Sequence, residues 1–573
     1  MRLARLATPI ALVTTLPLAR AVAQDSTAVS VPCIGQVVSR VDINPQPPTV
    51  VGKAPWALKP VMKVALQQST TKSGVVRSYL QLRVGRPCTE QRRQESERIL
   101  RAQPFIADAS VRAYADSGGA VRIEVQTTDE IPVVLGGSIR GSDLSSLTVG
   151  NGNIAGQGVY AAARWRQGFA YRDGWGIDFE HYHMFDHPYH FEVDAERHPL
   201  GSDVSASLGH AFITNLQRSA WHLGFRDANT YQTFVRSDGD NVALRTDRLV
   251  FEAGGVGRIG LAGKRAFAGA LLMRDRFAPA TDGVVTTSTG LVPDTSGRLL
   301  DRYAPYRNTR LAAVMGLRVL SYVPARGFDA LEGTQDIARG VQVGAIVGRS
   351  LGWFDDTDRD YFFSGDLYGG VGTAHSFVAA RGQSEIRRDR ILGQWDSWIT
   401  SGRIAWYLKR AERRTFILDG EFSGAWRSRL PFQVSLSDWR GGVRGYGDSR
   451  AVGAYRAVAR AEEHWAIGHI TSHVGWGAAL FADAGKLWAG DVPFGDDIGT
   501  KASVGIGLLA AVPPESQRLF RLDLALPVTS GARHRLELRF TAENRARMFF
   551  WRAPGDIARA RAGPTTTSIF DWP

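Results

Sequence analysis

From residue 131 onward the chain is a succession of segments of about ten residues in which apolar and polar positions alternate. In 175–183, Trp175, Ile177 and Phe179 share one side while Asp178 and Glu180 share the other. The same division occurs at 398–408, with Trp398, Ile404, Trp406 and Leu408 against Ser401, Arg403 and Lys409, and at 416–426, with Phe416, Leu418, Phe422 and Trp426 against Asp419 and Glu421. Further on, Phe520, Leu522, Leu524, Leu526 and Val528 oppose Arg521 and Asp523, and His534, Leu536, Leu538 and Phe540 oppose Arg535, Glu537 and Arg539. A period of two predicts strands with one apolar and one polar face. In a soluble sandwich the apolar faces would pair and the chain would divide into smaller domains. No such division interrupts these four hundred residues. The pattern favours one antiparallel β-barrel with an apolar outer face and a charged lumen.

Residues 35–130 read differently. Val37, Ser39, Val41 and Ile43 alternate as a strand, 74–82 and 89–103 are candidate helices, and Thr89 caps the second with Glu90 in its first turn. Ala109, Val111 and Ala113, then Val121, Ile123 and Val125, form two strands joined by the turn 116–119. This is a compact α+β unit. Ahead of it, 1–23 has the pattern of a secretory signal: Arg2 and Arg5, an apolar run over 6–18, and Ala21-Val22-Ala23 before Gln24, with Arg20 close to the cut. Residues 24–34 form an arm between the two. No other run approaches the roughly 18 apolar residues of a spanning helix, so a membrane-embedded chain of this sequence must pair its backbone in a closed barrel.

Composition alters the picture in three ways. The 62 glycines suit tight turns and closely approaching strands. Lys plus Arg (69) exceeds Asp plus Glu (56) to give a net charge of +13, but the basic residues are scattered along alternating strands; nucleic-acid binding calls for a clustered basic face. A mean hydropathy of −0.16 does not exclude a membrane, because lipid-facing and lumen-facing positions average out in a barrel. The two cysteines, Cys33 and Cys88, can close a disulfide in an exported chain or remain as free thiols; their spacing is not that of a metal site. His181, His183, His187 and His190 lie among Tyr182, Phe185, Pro188 and Tyr189 and resemble an aromatic interface turn more than a metal site. No nucleophile elbow, zinc-protease helix or phosphate-binding loop is present, and neither an enzymatic activity nor a cofactor is expected.

The densest chemistry lies in 438–450, Asp-Trp-Arg-Gly-Gly-Val-Arg-Gly-Tyr-Gly-Asp-Ser-Arg. Its glycines argue for a loop, and its polar side chains require partners. Val443-Arg444-Gly445-Tyr446 resembles the loop motif of the outer-membrane assembly and translocation barrels, the superfamily of BamA, TamA, FhaC-like translocators and bacterial surface antigen proteins. Phe481, Asp483 and Gly485 match that family's Phe-x-Asp-x-Gly strand, Glu462 lies on the strand before it, and 151–158 resembles the family's early barrel turn. The order of elements in 35–130 resembles the POTRA domain that precedes these barrels.

The resemblance implies a barrel of sixteen strands over 131–541 with a loop, 430–454, folded into its lumen, where Arg444 meets Asp483 and Glu462. About nineteen strand-like segments can be counted, and the excess is expected in long hairpins at 276–308 and near 171–201. The last strand is expected at 534–541, pairing with the first, and the tail 542–573 either caps the periplasmic mouth or is disordered. The implied setting is the outer membrane of a Gram-negative-type bacterium, with the POTRA-like domain in the periplasm. Implied partners are outer-membrane lipid, unfolded client polypeptides and periplasmic accessory proteins.

Overall fold

The computed structural model describes residues 29–48, 70–140, 143–169, 172–198, 201–260, 265–287, 290–437, 441–471, 473–532, 536–544 and 555–561. The signal-like segment 1–23, part of the arm, and most of the tail lie outside the described residues.

The N-terminal domain contains β1 (Ile34–Gln46), α1 (Ser73–Tyr79), β2 (Pro87–Thr89), α2 (Glu90–Arg101), β3 (Ile106–Ala115) and β4 (Val121–Asp129). Its sheet has the order β2-β1-β4-β3, with β1 parallel to β4 and β3 antiparallel to it. Val75, Val76, Ile99, Leu100, Val111, Ile123 and Val125 form the core between sheet and helices. The Thr89 hydroxyl accepts from the Arg92 amide, so the expected cap opens α2. Cys33 and Cys88 are joined by a disulfide that ties the arm to β2.

Twenty strands form the barrel wall. The first nine are β5 (Val133–Arg140), β6 (Asp143–Asn151), β7 (Val159–Phe169), β8 (Arg172–Met184), β9 (Tyr189–His198), β10 (Gly201–His210), β11 (Ser219–Phe234), β12 (Val242–Ile259) and β13 (Arg265–Pro279). Six more, β14 (Tyr306–Arg326), β15 (Thr334–Ser350), β16 (Asp360–Gly372), β17 (Ser376–Asp389), β18 (Trp395–Ala411) and β19 (Arg414–Trp426), precede the long loop. After it come β20 (Tyr455–Thr471), β21 (Val474–Trp488), β22 (Lys501–Ala511), β23 (Arg518–Pro527) and β24 (Glu537–Asn544). Neighbours in sequence pair antiparallel, and β24 closes the ring on β5. These two seam strands are the shortest in the wall, eight residues each, against 21 in β14.

The expectation of sixteen strands is therefore corrected to twenty. The region near 171–201, read from sequence as part of a long hairpin, is wall: β8 pairs with β9, with an irregularity between His181 and Met184, and β9 pairs with β10 in an unbroken ladder. Only 276–308 holds an extension of the expected kind, the short strands Val284–Thr287 and Gly290–Pro293. The last strand runs three residues beyond the expected end, to Asn544, while 533–535 lie outside the described residues.

Alternation places Trp175, Ile177, Trp398, Ile404, Leu418, Phe422, Leu522 and Leu538 on the outer surface, all exposed. An apolar surface of that extent, covering a closed ring of strands, is solvated by lipid. The inner face is less uniformly charged than the pattern suggested. Phe212, Phe267, Leu271, Met273, Val314, Ile346 and Phe362 form a buried apolar cluster inside the ring, and Arg310 lies 4.4 Å from the centre of the Phe362 ring. The outer positions of these strands are apolar as well, so alternation alone did not reveal the cluster.

Candidate functional site in the barrel lumen

The connection from β19 to β20 folds inward. Within it Val434–Ser435 pairs with Val452–Gly453, and Ser437 bridges to Val443, which makes a compact hairpin. Asp438, Trp439 and Arg440 lie outside the described residues. Val443 and Tyr446 are buried with Phe432, Val434 and Leu436. Two glycines permit this approach. Gly445 has φ +86, the left-handed region, with Pro527 against its α-carbon, and a β-carbon on Gly485 would lie 2.5 Å from Val443 Cγ2. The glycine of the Phe-x-Asp-x-Gly strand is thus the seat for the valine of the loop motif.

Arg444 is 5% exposed and enters a pocket of carboxylates. Its Nε donates to Asp483 Oδ2 at 2.7 Å and its Nη2 to Asp483 Oδ1 at 2.6 Å, a bidentate pair, while the Arg444 amide donates to Asp483 Oδ2 at 3.2 Å. Nη2 also lies 2.7 Å from Glu462 Oε1, and Nη1 lies 3.6 Å from Asp523 Oδ2. The guanidinium carbon is 3.6 Å from the centre of the Phe481 ring. Phe481 and Asp483, two apart on β21, present a π-face and a carboxylate to one guanidinium. A planar fork suits that combination better than an ammonium would.

The pocket has a second cation. Arg521 Nη1 donates to Glu462 Oε2 at 2.7 Å and its Nε to Asp523 Oδ1 at 2.7 Å; His464 Nε2 is 2.8 Å from Glu462 Oε2. Glu462 and Asp523 are each shared between arginines, so the buried charges compensate one another. Asp523 and Arg521 were legible as lumen-facing from the alternation in β23, but nothing in the sequence assigned them to Arg444. Arg460, Tyr446, Thr529 and Glu537 complete the clasp. Arg460 Nη2 donates to the Gly441 and Gly442 carbonyls at 2.9 and 3.1 Å, the Tyr446 hydroxyl donates to the Thr529 carbonyl at 2.8 Å, and the Gly447 amide donates to Glu537 Oε2 at 2.9 Å. Glu537 is on β24, so the loop reaches the strand that closes the seam.

The tail adds an element absent from the sequence reading. Residues Gly555–Ala560 form a short helix, α3, inside the ring rather than at its mouth. Ile557 and Ala560 join the buried cluster of the loop. Arg248 of β12 donates to the Arg559 and Arg561 carbonyls at 2.9 and 2.8 Å, and Arg561 Nε donates to Glu385 Oε1 of β17 at 2.6 Å. The described tail therefore bridges the lumen between strands five positions apart.

The other end of the lumen carries the N-terminal domain. Arg101 makes a bidentate pair with Asp336 at 3.1 and 2.8 Å. Arg98 pairs with Glu95 at 2.9 Å and lies 4.2 Å from the centre of the Tyr322 ring, and Glu95 Oε2 accepts from the Thr214 hydroxyl and the Asn215 amide. Asp129 accepts from Thr71, whose hydroxyl accepts from Asn153 in the early barrel turn. Burial raises the Asp129 carboxyl to about 7, against the pull of the Thr71 donors. The turn 327–333 folds inward beside this domain, with Leu331 buried against Ala466, Ala479, Leu509 and Leu519. One histidine of the cluster reaches this junction: His190 stacks on Tyr182 at 4.9 Å and lies 3.0 Å from Glu180, and Tyr182 packs on Phe105.

Fold and site define a transmembrane β-barrel with a docked N-terminal α+β domain and an arginine-tipped loop held in the lumen by carboxylates. No protein-family model and no curated protein matches the chain. Among solved structures it is similar to CdiB from Escherichia coli, at 11% identity and a TM-score of 0.45, over 89% of this chain and 76% of that one. It is also similar to CdiB from Acinetobacter baumannii, at 9% identity and a TM-score of 0.39, over 89% of this chain and 74% of that one. For BamA from Haemophilus ducreyi lacking POTRA domains 1–3 the values are 11% and 0.34, over 89% of this chain and 85% of that one. These similarities assign no role to any residue.

Proposed function

We propose that the chain belongs to the outer-membrane assembly and translocation barrels and inserts or translocates unfolded client polypeptides without chemical catalysis. The observation that carries this reading is the clasp of Arg444 by Asp483, Glu462 and Asp523. Burying four charged groups is costly unless their geometry is maintained, and a permanently open passive pore gains nothing from a loop held this way. A barrel that must keep its lumen shut and then rearrange does gain. The clasp draws on β20, β21 and β23, and the loop's further contacts to Thr529 and to Glu537 of β24 extend it to the seam where β24 meets β5. That seam is the site at which a client strand would enter the membrane, and the Gly447–Glu537 contact links it to the loop.

The N-terminal domain, read as POTRA-like and periplasmic, would recruit clients by adding an extended segment to its sheet. Accessory periplasmic proteins would deliver them, and outer-membrane lipid would surround the apolar belt. The test is depletion of the protein followed by comparison of the outer-membrane and secreted proteomes. Selective loss of particular barrel or secreted proteins is the expected result. Unchanged proteomes, together with ion-selective conductance of the purified chain in planar bilayers, would replace this reading with a passive pore.

A further inference from the structure

We propose that the outer wall over β13–β18 carries a binding site for a multiply phosphorylated, multi-chain glycolipid of the outer leaflet. At the end of the wall remote from the N-terminal domain, the outward face of these strands is basic and aromatic. The ladder registers place Leu311, Arg349, Tyr361, Arg388 and Trp395 in one continuous row across β14 to β18. Arg276 stands directly opposite Arg307 where β13 meets β14, with Arg274 two residues from Arg276 on the same face. Like charges directly opposite on a sheet destabilise it unless an anion lies between them.

Charge pairing within the same strands sharpens the contrast. The inward Arg310 pairs with Asp360 at 2.5 Å, and the inward Arg387 pairs with Asp360 at 2.5 Å and Asp358 at 2.8 Å. The outward Arg274, Arg276, Arg307, Arg349 and Arg388 are exposed and have no carboxylate at ion-pair distance among the described residues. Two nearby carboxylates are committed elsewhere, Asp356 to the Thr309 amide and hydroxyl and Asp389 to the Ile391 and Leu392 amides. Aromatic faces brace the arginines instead: Arg388 lies 5.6 Å from the centre of the Trp395 ring and Arg274 lies 5.0 Å from that of Phe354.

One step further from the rim, the next row across the ladders is Ala313, Val347, Phe363 and Ile386, wholly apolar. A ligand fitting both rows has anionic groups at the level of Arg349 and Arg388 and hydrocarbon running down the wall below them. Those two arginines are separated by two strand spacings, about 10 Å. A headgroup with two separated phosphates can engage both at once; a single phosphodiester reaches one. Arginine forks pair with phosphate in bidentate fashion, and the aromatic rings stack against the sugar.

The test uses the full chain, delipidated in detergent and titrated with bis-phosphorylated lipid A, monophosphorylated lipid A or phosphatidylglycerol, with bound copies counted by native mass spectrometry. Bis-phosphorylated lipid A should bind most tightly, and R349Q/R388Q should weaken it about 10-fold or more. R197Q, an outward arginine elsewhere on the wall, should change nothing. Heat-modifiable migration verifies folding, and if the double variant misfolds, R349Q and R388Q singly are read against R197Q. Equal affinity for phosphatidylglycerol would overturn the proposal, as would an unchanged affinity in the rim variants or an equal loss in R197Q. The proposal requires the barrel to sit in lipid but no client, so proteome changes on depletion have no bearing on it.

Discussion

Replacing Arg444 with alanine removes the bidentate pair to Asp483, the contact to Glu462 and the stack on Phe481 in one step. Arg521 remains and still serves Glu462 and Asp523 at 2.7 Å each, so the uncompensated charge falls chiefly on Asp483, which is 2% exposed. Removing one partner of a buried pair typically costs about 3–5 kcal/mol. At roughly 1.4 kcal/mol per tenfold, loop docking should weaken by about 100-fold or more. Hydrogen exchange reads this directly. The Tyr446 amide, donating to the Val443 carbonyl, and the Gly447 amide, donating to Glu537, should exchange about 100-fold faster in R444A, while amides in β14 and β15 keep their protection. R444K, which can satisfy one carboxylate and stacks poorly, should fall between. Loop exchange in R444A within threefold of wild type would refute the view that this guanidinium holds the loop, and unaltered client export alongside it would remove the loop from the mechanism.

Other expectations rest on separate contacts. Ending the chain after residue 554 removes α3 and its ties to Arg248 and Glu385, so bilayer conductance should rise; unchanged conductance would mean that α3 does not obstruct ion flow. Asp129, with its carboxyl raised to about 7 by burial, holds a proton in the folded junction at pH values where the unfolded chain, near 3.9, does not. Its contribution to stability is full below about pH 4 and declines as pH rises through about 7. Exchange protection of 70–80 should therefore decrease between pH 5 and pH 8, and D129N should flatten that dependence; an identical pH profile in D129N would contradict the assignment.

Alternation made the barrel legible, because a period of two with aromatic residues on one side can be read locally. The Thr89 cap was legible because a cap, too, is a local pattern, whereas the short strand Pro87–Thr89 between the two helices was not, because it is defined only by its pairing with β1. Strand number was not, since whether 172–198 joins the wall depends on ladders formed with distant segments, and charged positions such as Asp178 and Glu192 suit a lumen or an exposed hairpin equally. Arg444, Asp483 and Glu462 were found through a sequence motif; Asp523 and Arg521 lie almost eighty residues beyond Arg444 and are brought in only by ring closure. The placement of α3 could not be read at all. Ile557 and Ala560 in a six-residue helix give too short a pattern to reveal which surface they cover.

The claim on which the rest depends is that the Val443–Tyr446 turn sits inside the barrel against β21. Disulfide trapping of V443C/G485C in intact membranes tests it most directly, because the side chain at 443 occupies the space where a β-carbon at 485 would stand. Rapid cross-linking under mild oxidation is expected, seen as a shift in non-reducing electrophoresis. Free thiols at both positions, with residue 443 labelled by a membrane-impermeant maleimide from outside the cell, would contradict it.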